Sequence, residues 1–130
     1  MKKAIYHVFV DGIPIAQPRP RKGKHGNFYN PDLATAWKEA IQICFMQKKR
    51  MPTITGPVYL TIHFYFQKKG LNTTIPHTSK PDKDNLEKVV MDALTGIGVW
   101  NDDSQVYGGR TAKFWTDDKS GAEIWVEEIV

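Results

Sequence analysis

Pro57-Val58-Tyr59-Leu60-Thr61-Ile62-His63-Phe64-Tyr65-Phe66-Gln67 is the stretch that decides how this chain folds. Side chains alternate across a strand, so Val58, Leu60, Ile62, Phe64 and Phe66 share one face. A face that is wholly apolar predicts a half-buried strand that needs a covering layer. Two helical patterns can supply it. Leu33, Trp37, Ala40, Ile41 and Cys44 recur at helical spacing and predict a helix over residues 31–49 with one core face. Asn30-Pro31-Asp32 has the form of its start: a capping side chain, a proline in the first turn and an acid near the positive end of the dipole. A second helix is predicted from Asp84 to Thr95. Leu86, Val89, Val90, Ala93 and Leu94 form its buried stripe, and Gly96 is its stop.

Working outward, residues 4–10 alternate and read as a strand ended by Asp11-Gly12. Residues 105–115 and 122–129 read as two more, joined through Asp117-Asp118-Lys119-Ser120-Gly121 as a hairpin. Lys68 to Lys80 is polar, holds Gly70, Asn72, Thr73 and Thr74, and is expected to be a mobile loop. There is no internal repeat and no second domain. The expectation is one domain over residues 1–130 with an α+β fold: two layers, a small mixed sheet with two main helices on one face.

Composition bounds the function. A chain of 130 residues buries roughly two-thirds of its unfolded surface in one core, and 41% hydrophobic with 25% charged residues is an ordinary globular balance. No signal peptide is evident, and no apolar run approaches the ~18 residues of a membrane span. The lone Cys44 excludes an internal disulfide and fits a reducing cytoplasm; it reads as a buried helix residue. The net charge of +4 hides an asymmetry. Residues 1–50 carry ten Lys/Arg against three Asp/Glu, and residues 51–130 carry eight against eleven. A basic half suits a polyanion, whereas carboxylates beside phosphate make sense when a divalent cation lies between them.

The acids fall in one pattern: Lys80-Pro81-Asp82-Lys83-Asp84-Asn85-Leu86-Glu87-Lys88, then Trp100-Asn101-Asp102-Asp103-Ser104-Gln105 after the helix. If Asp82 to Asp84 is extended, the two carboxylates point the same way, and the turn after the helix brings in Asp102 and Asp103. Three or four convergent carboxylates suit Mg²⁺, a hard cation that prefers oxygen. Each residue also has a plainer reading. Asp84 followed by Glu87 has the outline of a capping box. Asp102-Asp103 fits turn chemistry, and Lys88 sits opposite the buried stripe with Asp92 as an ion-pair partner. A calcium loop would need glycine at Glu87 and glutamate at Ala93. Zinc is disfavoured by the scatter of His7, His25, His63 and His77.

In combination these residues resemble the RusA family of Holliday junction resolvases, largely bacterial and phage-borne. The resemblance rests on Pro81-Asp82-Lys83-Asp84-Asn85-Leu86-Glu87-Lys88, Asp92-Ala93-Leu94-Thr95-Gly96 and Gly98-Val99-Trp100-Asn101-Asp102-Asp103-Ser104-Gln105-Val106. Gly12-Ile13-Pro14 with Pro18-Arg19-Pro20-Arg21 also looks like the family's opening. It implies a twofold homodimer, Mg²⁺ dependence with Mn²⁺ as a substitute, and paired nicks in a four-way junction during DNA recombination and repair. On matching positions it implies Asp82, Asp84 and Asp103 as essential acids and metal ligands, with Asp102 a fourth. Lys88 becomes the catalytic lysine, orienting the nucleophile or stabilising phosphorane charge. Thr78-Ser79-Lys80 departs from the family, holding no aromatic where a junction wedge is implied.

The basic side stands on its own residues. Arg19, Arg21, Lys22, Lys24 and His25 lie in a proline-punctuated segment ahead of Phe28 and Tyr29, and such segments track phosphate backbones. The plainer reading is a solvated arm. Two other functions share this sequence pattern: a non-catalytic binder of branched DNA, and a nuclease that prefers flaps or forks. A pure binder gains nothing from four carboxylates near phosphate.

Overall fold

The structure is a computed structural model that describes residues 1–17 and 31–130. Its elements are β1 (Lys2–Asp11), α1 (Pro31–Met46), β2 (Val58–Gln67), β3 (Ile75–Pro76), α2 (Lys83–Gly96), a 3₁₀ turn (Asp103–Gln105), β4 (Val106–Thr116) and β5 (Gly121–Ile129). Arg19, Arg21, Lys22, Lys24, His25, Phe28, Tyr29 and the proposed cap Asn30 lie outside the described residues. The architecture is the expected α+β one, a five-stranded mixed sheet in the order β1-β5-β2-β4-β3 with two helices. No helix among the described residues is long and apolar enough to cross a membrane.

The alternation in β2 does what it predicts. Val58, Leu60, Ile62, Phe64 and Phe66 are all buried, each worth about 1.5–3 kcal/mol of burial. They meet Val8 and Val10 of β1, Ala122, Ile124 and Val126 of β5, and the full expected stripe of α2. The rotation of α1 differs from expectation. Its buried residues are Ala34, Trp37, Ile41 and Phe45, whereas Leu33 is exposed and Cys44 only half-buried. Phe45, packed 5.1 Å from the Tyr6 ring, takes the inward position expected for Cys44.

The expected hairpin between β4 and β5 does not form. The most apolar strand, β2, lies between them, parallel to β4 and antiparallel to β5. A parallel pair needs a long crossover, and residues 68–105 supply one through α2. Gly109 (φ +147°) permits the close approach of β4 to β2, because a Cβ there would fall 1.7 Å from the Leu60 carbonyl oxygen. The link 117–120 then arches over the end of β2, where Ser120 Oγ accepts from Gln67 N at 2.8 Å and Asp117 Oδ1 from Gly70 N at 3.0 Å. Asp117 and Asp118 are turn residues, as expected, but of an arch.

The loop 68–80 is tied down at its far end. Ile75–Pro76 pairs with β4, and His77 is buried, its ring stacked 4.1 Å from Trp115.

Candidate active site

The sequence from Ser79 to Gln105 builds one ridge, and α2 is its spine. Two neutralising contacts set its start. Lys113, reaching from β4, donates from Nζ to the carbonyl oxygens of Ser79 and Pro81 at 2.7 Å each, on either side of the cis Lys80–Pro81 peptide. The helix begins at Lys83 with Asp82 as its N-cap, so the expected extended run from Asp82 to Asp84 is cut short after its first residue. Asp82 caps only through its backbone, its carbonyl oxygen accepting from Leu86 N at 3.2 Å. Its carboxylate makes no capping bond and meets Lys80 Nζ at 3.0 Å. The capping-box reading of Asp84 is therefore displaced: Asp84 stands inside the first turn, with Oδ1 accepting from Asn85 N at 2.9 Å.

One turn on, Lys88 Nζ lies 3.0 Å from Asp92 Oδ1 and 3.5 Å from Asp103 Oδ2. The Asp92 carboxylate, with a smaller contribution from Asp103, holds the Lys88 ammonium above the ordinary lysine range.

The end of α2 aims the chain back at Lys88. Gly98 adopts φ +77°, its N–H bonds to Thr95 O at 3.1 Å, and Val99 N bonds to Leu94 O at 3.0 Å. This paired closure is the Schellman arrangement, so the stop is made by Gly98 rather than by Gly96. The reversal drives Trp100 into the core, fully buried, and carries Asp102 and Asp103 to the head of β4. Asp102 caps the 3₁₀ turn, its Oδ2 accepting from Ser104 N at 2.9 Å, and the Ser104 side chain, followed by that backbone bond, pulls its carboxyl below the usual range. Gln105 completes a capping box: Oε1 accepts from Asn101 N at 2.7 Å and Asp102 N at 2.9 Å, while Nε2 donates to Ile54 O and Gly56 O. Asp103 is left for other partners. Thr95 Oγ1 donates to Asp103 Oδ1, and Trp100 Nε1 donates to Thr95 Oγ1 at 2.7 Å.

The structure thus brings Lys88 together with Asp92 and Asp103, while Asp82 caps α2 and Asp84 stands in its first turn. Among the described residues, no three His, Cys, Asp or Glu side chains gather closely enough to hold a metal ion. The donor chemistry itself suits a hard cation, since Asp82, Asp84 and Asp103 offer oxygen alone. As arranged, Asp82 and Asp103 face the ammonium groups of Lys80 and Lys88, so ion binding requires those carboxylates to exchange partners.

The DNA-binding candidates Arg19, Arg21, Lys22 and Lys24 fall in the undescribed segment, but the residue leading into it is placed. Gln17 N donates to Asn85 O at 2.9 Å, fastening this stretch to the first turn of α2 beside Asp84. Sequence reasoning missed Thr95, Lys113 and Gln105 as working parts. It also missed a cleft of about 340 Å³ on the neighbouring face of α2, lined by Lys83, Glu87, Met91, Tyr107 and Thr111, where Thr111 donates to the Glu87 carboxylate.

Comparison with known proteins places the chain in a family. The family model of Endodeoxyribonuclease RusA matches residues 11–127. An uncharacterised Bacillus subtilis protein, YqaN, is 30% identical over 92% of this chain and 94% of its own length. The Escherichia coli K12 crossover junction endodeoxyribonuclease RusA is 36% identical over 55 residues, 42% of this chain and 46% of that protein. With the family model spanning β2 to β4, the whole of α2 and the Asp102-Asp103 turn, this chain belongs to the RusA family of endodeoxyribonucleases.

Proposed function

We propose that this protein is a divalent-cation-dependent endonuclease that resolves four-way DNA junctions by paired symmetric nicks, acting as a homodimer. Mg²⁺ is the cation expected, with Mn²⁺ as a substitute. The observation that carries the reading is the meeting of Lys88 with Asp103. They come from separate elements, and both belong to the sequence motif that carries the resemblance to the RusA family. Asp82, Asp84 and Asp103 are the residues that would hold the ion; Asp102, already capping the 3₁₀ turn, is a poorer donor. When bound, the ion supplies charge neutralisation at the phosphodiester and a more acidic attacking water.

The chain's own residues do the rest. Asp92, one turn along α2, holds the Lys88 ammonium at 3.0 Å, so it stands ready for the charge that develops on the phosphorane. The carboxylates at the start of α2 repel phosphate until they are neutralised, which makes cleavage conditional on the cation. Arg19, Arg21, Lys22 and Lys24 supply the backbone contacts that carry no sequence information. Four-way junctions are close to twofold symmetric and need two cuts, so two copies match the substrate.

The deciding experiment incubates the protein with a labelled mobile four-way junction, a flap and a matched duplex, with and without Mg²⁺. Symmetric linear products from the junction, only with Mg²⁺, are expected. Preferential flap cutting would move the substrate class, and junction binding with no product under any divalent cation would leave a non-catalytic binder.

A further inference from the structure

We propose that Thr95 is a positioning residue whose hydroxyl, locked by the buried Trp100 indole, orients the Asp103 carboxylate; the proposal rests on the reading of Asp103 as an ion ligand. An indole N–H can donate and cannot accept, so at 2.7 Å the Thr95 oxygen must be the acceptor. Trp100 is fully buried, with no water to serve as an alternative partner for that N–H. Threonine has one hydroxyl proton. With a lone pair committed to Trp100, the rotor is fixed and the proton points to Asp103 Oδ1.

The consequence lies at the other oxygen. Asp103 Oδ1 is engaged by Thr95, which turns Oδ2 to the side of Lys88, 3.5 Å away. The Asp102 cap and the Gln105 clamp fix the backbone of residue 103, but neither touches its side chain. Thr95 therefore sets which carboxylate oxygen faces outward, and the core, through Trp100, sets Thr95. Thr95 lies in the last turn of the helix that carries Lys88, so the two working groups share one support. Partners that orient ligating carboxylates in this way typically matter about 10–100-fold in ion affinity.

The test titrates the full chain with Mn²⁺ by calorimetry, comparing the parent with Asp103→Asn, Thr95→Val, Thr95→Ser and Trp100→Phe, each checked for an intact thermal unfolding transition. Asp103→Asn and Thr95→Val should both weaken Mn²⁺ binding by about 10–100-fold. Thr95→Ser, which keeps the hydroxyl, should stay near the parent. Trp100→Phe, which keeps an aromatic ring in the core but removes the N–H that holds the rotor, should lie between. Parent-like Mn²⁺ affinity in Thr95→Val, alongside a weakened Asp103→Asn, overturns the positioning role and leaves the ligand reading intact. Unchanged affinity in Asp103→Asn overturns the ligand reading and this proposal with it. Should Thr95→Val not fold, Trp100→Phe decides: parent-like affinity there overturns the lock.

Discussion

Lys88 and Asp103 stand fifteen residues apart in the chain and meet at 3.5 Å, because the Gly98 turn folds the end of α2 back along its own flank. The lysine comes from a helix and the carboxylate from a 3₁₀ turn, so neither element builds the pair alone. Their separation is governed by the turn that joins them.

Substitution at the two ends of the ridge should therefore give different defects. Asp82→Asn is expected to abolish junction cleavage while binding stays equal or becomes tighter, since one ligand and one phosphate-repelling charge are lost together. Lys88→Met should also lower the cleavage rate, by about 10²–10³-fold if the ammonium acts as other charge-stabilising donors do. It should not tighten binding. Gel-shift titration in Ca²⁺ with single-turnover cleavage in Mg²⁺ separates the two, and near-normal cleavage by Asp82→Asn would remove it from the site.

His77 predicts a pH dependence of stability. Burial, and next the Lys113 charge, hold its imidazole below the ordinary histidine range. The unfolded chain therefore takes up the proton first as pH falls. His77 stabilises the fold fully above about pH 6.5, and that contribution is lost as pH drops toward the lowered folded value. His77→Phe keeps an aromatic ring against Trp115 and Phe66 and removes the titration. Its thermal midpoint should fall less steeply than the parent's between about pH 7 and pH 5. Parallel profiles for the two proteins would show that His77 does not couple to folding.

Much of this was legible before the fold was known, and the parts that were not have a common cause. The periods of 2 in residues 57–67 and 3.6 in residues 84–95 read directly onto β2 and α2, because burial on one face leaves a local trace. Sheet order left none: the β4–β5 link looks like a hairpin because nothing in residues 117–121 records that β2 intervenes. The acids were visible as a motif, but the division of labour between them was not. Asp102 and Asp103 are neighbours of one type, and only the Ser104 and Thr95 bonds tell them apart. Lys113 was invisible, since its partners are backbone carbonyls that carry no signature. Leu33 misled because a helical stripe fixes the period of α1 and leaves its rotation to Trp37 and Phe45.

Arg19 and Arg21 should act on DNA affinity rather than on chemistry. Gln17, the last described residue before them, donates its N–H to Asn85 O in the first turn of α2. Changing both to alanine should weaken junction binding most at moderate salt and flatten the slope of log K against log salt by about two contacts' worth. Single-turnover rates at saturating protein should stay close to the parent. An unchanged slope would make the segment a solvated arm.

Dimerisation is the remaining prediction, and the structure narrows which residues can serve it. Of the four large aromatics near the C-terminal strands, Trp100 is fully buried and Trp115 packs against the core, so both complete the monomer. Tyr107 is 59% exposed. Trp125 lies on the sheet face turned from the core, stacked on His7 at 4.8 Å with His63 edge-on at 4.9 Å. One chain carries one Lys88–Asp103 pair and so supplies one cut, whereas junction resolution needs two in opposing strands. Light scattering at micromolar concentration should return twice the 14.8 kDa chain mass for the free protein, and two chains plus one junction for the complex. Mixing active protein with an excess of Asp82→Asn should then give junctions nicked on one strand only, because most active subunits pair with a dead one. A single-chain mass in both states, with unchanged paired products in the mixing experiment, would overturn the symmetric mechanism and leave a nuclease that cuts one strand per encounter.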